Sequence, residues 1–296
     1  MKKLWAFVLF TSAVATAQTN EKTCELLNKI DALMQRQHFK PKPIDDSLSV
    51  FVFDAFIDLL DEDRNLFTKD EYGHLRNRRL TLDDAIVSGD CSFMDDFSTF
   101  YRQALKRKKT IIESLRERPL DYSGKDSLRF SRNSFPFDLQ EKDLERVWRK
   151  RLEFEVLEDV SKSGNNLDSI RQNFADLEKT ASEKAFQNAL CRISNTLDPT
   201  GGFERRLQND FLNTFCMAFD PHSNYFFLDE KMSFMSALST SNLSLGMELG
   251  MNEKEEIVVQ EIIPGGPAAQ SRKIEKEDVI VKVSDKYGRE YLVSCT

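Results

Sequence analysis

Residues Ser47–Leu60 read SLSVFVFDAFIDLL. Phe51, Val52, Ala55, Phe56, Leu59 and Leu60 recur there at the spacing of one buried helical stripe. The stretch therefore predicts a helix from about Ser47 to Leu60. On its N-terminal side KPKPIDD breaks the pattern through Pro41 and Pro43. Before that break, Glu21–Gln37 is a first helix, with Cys24, Leu27, Ile30, Leu33 and Met34 on one side.

The same period continues toward the C-terminus. Thr68–Glu71, TKDE, has the residues of a capping box, in which hydroxyl and carboxylate satisfy free donors of the next helix. A long helix is expected over Ser92–Arg116, stopped by Arg118-Pro119. Residues 121–138 are polar and turn-rich and read as a loop. Helices resume over Leu139–Lys162 and Leu167–Thr196. NTLDPTGG then intervenes, and Phe203–Ala218 is the last helix of the array. The abundant Phe fit the core of such an array better than a cofactor site.

After about Ser241 the period changes. LSLGMELGM, EEIVVQEII and EDVIVKV are short, β-branched runs divided by turns. PGGPAA, Pro264–Ala269, is a turn that places Pro267 at a first helical position, and AAQSRKI can form one short helix. SDKYG, Ser284–Gly288, would turn between two strands. PGGPAA lacks the Lys-Ser/Thr and spacing of a phosphate loop. The expected fold is mainly α: a helical domain over residues 18–236, then a small β-rich module over 237–296.

The first seventeen residues read as a secretory signal. Lys2 and Lys3 precede an apolar run from Leu4 to Val14, followed by Ala15-Thr16-Ala17. That run is too short to span a bilayer, and no later segment is long or apolar enough. The expected location is periplasmic or exported. Loss of the two lysines takes the net charge from −7 to −9 in a chain starting at Gln18. An acidic balance without a dense basic patch argues against nucleic acid as a partner. Five widely spaced cysteines leave at least one thiol without an internal partner. Cys191 and Cys216 fall on apolar helix faces and read as ordinary core residues. Three histidines without i,i+4 pairing give no zinc site, and no cofactor is implied.

FDPHSNYF, Phe219–Phe226, holds Asp220, His222 and Ser223, the residue types of a hydrolase triad. They are too close in sequence to converge as a triad does, with the base held between nucleophile and orienter. Pro221 instead ends a helix, and Asp220 and Ser223 suit local backbone bonding. Asp220, Pro221, His222, Ser223 and Tyr225 thus read as a hinge, anchored by Tyr225, Phe226 and Phe227.

DPHSNYF, SALSTSNLSLGMELG and IVVQEIIPGGPAAQSRKIEKEDVIVKV together resemble the tail-specific (carboxy-terminal processing) serine proteases, in which a PDZ module follows an Asp-Pro-His/Tyr-Ser/Thr-x-Tyr motif. KPKPIDDSLSVFVFDAFIDLLDEDRNLFT resembles the helical N-terminal domain of the larger envelope members. Glu277-Asp278 departs from the Gly-Asp that many PDZ modules carry before the apolar strand. The resemblance implies a region that recognises and positions the apolar C-terminal tails of protein substrates, with an envelope adaptor as a possible partner. It implies Leu245-Gly246-Met247 as the loop whose backbone N–H groups hold the tail carboxylate, and Met247–Gly250 as the strand to which the tail adds. It also implies a nucleophilic Ser and a Lys base in a later peptidase domain. No GxSxG or SxxK occurs here, so no catalytic residue is assigned and the chain alone is expected to be inactive. The sequence stops before the PDZ helix that would line the groove, so tail binding is expected to be weak or absent. The competing expectation is a non-enzymatic exported helical adaptor or scaffold with a PDZ-like docking end.

Overall fold

A computed structural model describes residues 23–124, 128, 135–164, 166–199, 201–238, 244–252, 256–284 and 290–293. The fold is mainly α, as expected. The expected signal segment lies outside the described residues. The described residues divide into two compact units: 23–108, 135–147 and 196–227 form one, and the remainder the other.

The first unit is built on helices α1 (23–37), α2 (Asp46–Leu60), α3 (Lys69–Arg76), α4 (Leu82–Ser88), the start of α5 (Phe93–Arg116) and α9 (Phe203–Phe219). Asp45 caps α2 by accepting from the N–H groups of Ser47 and Leu48. The buried face of α2 carries Leu48, Val52, Phe53, Phe56, Ile57 and Leu60. This corrects the expected stripe, because Phe51 is 44% and Leu59 56% exposed. Both faces obey helical spacing, and periodicity alone did not choose between them. Packing did. Phe56 meets Phe97 at 5.0 Å and Phe211 at 5.1 Å, both edge-on, and Phe93 meets Phe211 at 5.1 Å. Such tilted and T-shaped pairs suit the quadrupoles of the rings and contribute about 0.5–1.5 kcal/mol each beyond area burial.

Thr68 and Glu71 form the expected capping box at α3. Cys24 and Cys91 form a disulfide, and Gln208 Nε2 donates to Thr23 Oγ1 at 2.8 Å. Both tie α1 down. Helix α4 was not singled out in the sequence: it is one short turn pair, ended by Gly89 at φ 76°.

The second unit holds the rest of α5, then α6 (Glu141–Lys162) from Trp148 onward, α7 (Leu167–Gln172) and α8 (Phe174–Leu197) as far as Asn195. The single helix expected over 167–196 is two, because the chain caps at Asn173. Lys184–Asp159 at 3.4 Å and Arg192–Glu155 at 3.6 Å link α8 to α6. Cys216 is buried and free, as a core residue should be. Cys191 is not an ordinary core residue: it is half-buried and disulfide-bonded. A disulfide depends on a second thiol coming within reach in the fold, and helical periodicity carries no sign of that.

Helix α10 (Leu228–Leu238) comes next, an additional helix beyond the expected last one. It leads to the β module. Strands β1 (Met247–Met251) and β2 (Ile257–Ile262) pair antiparallel, with a bulge at Glu248/Leu249. Val279 bridges to Val258 on the other side of β2. Helix α11 (Pro267–Ser271) starts with Pro267 as expected. Strands β3 (Lys282–Ser284) and β4 (Glu290–Leu292) also pair antiparallel. The turn expected at Ser284–Gly288 lies mostly outside the described residues. Among the described residues of this module, Val258, Val259 and Ala268 are the buried apolar side chains. Among the described residues no helix is long and apolar enough to cross a membrane.

Candidate functional site: the open edge of strand β1

Leu245, Gly246 and Met247 form the turn into β1. Gly246 has φ +74°, and a Cβ there would stand 2.9 Å from both the Cα of Gly266 and Cδ of Pro267. Only glycine fits, because of both the left-handed backbone and the close approach of a second chain segment. The turn is braced by its carbonyls. Leu245 O accepts from Ala268 N–H and Gly246 O from Ile263 N–H, each at 2.9 Å. The Gly246 N–H donates to Ser244 Oγ at 3.0 Å.

Strand β1 has β2 on one side only, and no strand of the described residues pairs with its other edge. Leu245 is 66% exposed and Leu249 48%. An open edge offers unpaired N–H and C=O groups to an added strand, and alternate side chains to hold it. The three residues expected to form the loop are thus contiguous with an open strand. Two residues of this turn were missed. Ser244 could have been read from Ser-x-Gly, a local side-chain-to-backbone bonding pattern. Gly266, which packs against Gly246, had no local signal.

The Asp220–Tyr225 motif belongs to the other unit. Asp220 ends α9 with extended backbone. Its Oδ1 accepts from His222 N–H at 3.3 Å and lies 3.2 Å from His222 Nδ1. These contacts hold the Asp220 carboxyl below its ordinary range, the His222 backbone N–H above all. Ser223 contributes its backbone N–H to Asp220 O at 3.0 Å, and no hydrogen bond joins its hydroxyl to His222 among the described residues. The His222 side chain is 90% exposed. This is a helix-ending turn and does not converge as a triad does. Tyr225 N–H donates to Asn213 Oδ1 of α9 at 2.8 Å, and Arg205 of α9 lies 4.6 Å over Phe227. Phe226, expected as a third anchor, is 41% exposed. Among the described residues no cluster of three or more His, Cys, Asp or Glu is arranged to hold a metal.

A helical array followed by a small module with a glycine turn and, among the described residues, an open edge on β1 defines a class: a helical domain joined to a small β module. A model described as the tail specific protease N-terminal domain matches residues 30–228, and one described as the PDZ domain matches residues 236–290. The chain belongs to the tail-specific protease family. It is 25% identical over 256 residues to a tail-specific protease of Haemophilus influenzae, an alignment that covers 86% of this chain and 34% of that protein. The chain therefore spans about a third of the length of this relative.

Proposed function

We propose that this chain is the tail-recognising portion of a carboxy-terminal processing endopeptidase. A protein C-terminus adds to the open edge of β1 as an antiparallel or parallel strand, and its carboxylate lies at the Leu245–Gly246–Met247 turn. The observation that carries this reading is the continuity of a braced glycine turn with an unpaired strand edge. The exposed side chains of Leu245 and Leu249 favour an apolar tail. Cleavage is proposed for the whole protein by analogy with the relative, through a Ser nucleophile with a Lys base supplied by residues outside this chain. An exported, periplasmic location is proposed as well. The Cys24–Cys91 disulfide and the disulfide-bonded Cys191 support it, because such bonds persist in oxidising compartments.

The test is titration of the purified, isotope-labelled chain with a decapeptide ending in Leu-Ile-Val, followed by amide resonances. Residues 245–249 should shift at millimolar peptide, with a Kd weaker than about 10 μM, where the binding free energy would be about −7 kcal/mol. The same peptide amidated at its C-terminus should cause no shift. A response spread elsewhere, or equal binding of the amide, would overturn the reading. Incubation with casein should yield no cleavage by this chain.

A further inference from the structure

We propose that the Ser244 hydroxyl is a built-in competitor for the tail carboxylate, occupying the Gly246 N–H until a tail displaces it. This gate presupposes the tail site proposed above. In the structure the Gly246 N–H is not open to a ligand: it donates to Ser244 Oγ at 3.0 Å. Two carbonyls of the turn are also committed, since those of Leu245 and Gly246 accept from the N–H groups of Ala268 and Ile263. Gly246 itself is buried against Gly266, so its N–H cannot turn to find another partner without moving that contact. Ser244, by contrast, is exposed, and its hydroxyl can swing away by rotation about one side-chain bond. A carboxylate accepts a charge-assisted bond and outcompetes a neutral hydroxyl, but each binding event forfeits the bond already made. Tails lacking a free carboxylate have nothing to offer in exchange. The hydroxyl therefore lowers affinity for a tail that takes the Gly246 N–H and leaves untouched a segment that offers no acceptor there.

The experiment is the same peptide titration on the full chain with Ser244→Ala and Ser244→Thr. Ser244→Ala should bind the free-acid peptide about three- to tenfold more tightly. Ser244→Thr keeps the acceptor and should bind as the parent does. The amidated peptide takes no part in the exchange and should still cause no shift in Ser244→Ala, so the gap between free acid and amide should widen. An unchanged or weaker Kd in Ser244→Ala, with the parent still shifting at residues 245–249, overturns the gate and leaves the tail site standing. Absence of shifts at 245–249 in all three proteins removes the tail site, and the gate with it. The β1–β2 cross-strand contacts, read in each unliganded variant, confirm that the strand pair is intact.

Discussion

Glu71 satisfies two structures with one carboxylate. It accepts from the Thr68 N–H at 2.8 Å to close the capping box, and it receives Arg107 of α5 at 2.6 Å. Burial pushes its carboxyl up, but the bonds from Arg107 and Thr68 outweigh burial and leave it below the ordinary range. A lowered folded pKa gives stability that is present above the unfolded value of about 4.3 and is lost as pH falls through the folded value. Glu71→Gln should therefore cost about 2–4 kcal/mol at pH 7, since it leaves Arg107 buried without its counter-charge. The gap to the parent should close in melts below about pH 4. Glu277 is the opposite case. It sits at φ +75° where many PDZ modules carry glycine, and a side chain in that region costs about 1–2 kcal/mol. Glu277→Gly should raise the stability of the module by up to about 1 kcal/mol in denaturant unfolding.

At the scale of elements, α1 is held by few contacts that sequence could forecast. Its disulfide closes a loop of 67 residues between Cys24 and Cys91. Chain entropy assigns such a closure about 4 kcal/mol. Paired Cys24→Ser and Cys91→Ser substitutions should thus lower the melting temperature by many degrees, and reductant should lower that of the parent further than that of the double variant, which keeps only the bond at Cys191. The turn before β1 is the second such element. Gly246→Ala must place a methyl 2.9 Å from Gly266 Cα. It should abolish the peptide-induced shifts at residues 245–249 while leaving the α2–α9 core resonances unmoved.

For the molecule as a whole, the helical character, the change of period after Ser241 and the family were legible in the sequence. The first two depend on spacings within about ten residues, and the family on longer runs of residues in order. Apolar recurrence along Phe93–Arg116, the Thr68–Glu71 box and Pro267 at a helix start are fixed by local backbone geometry, so a linear reading finds them. The face that α2 buries, the bond state of Cys191, the Gly246–Gly266 contact and the capture of the Gly246 N–H by Ser244 depend on which segments meet. The sequence by itself determined what each segment becomes, because helix and strand are set by near neighbours. Only the tertiary structure decided which surfaces are covered and which donors are already taken, because those follow from contacts between residues that share no local pattern.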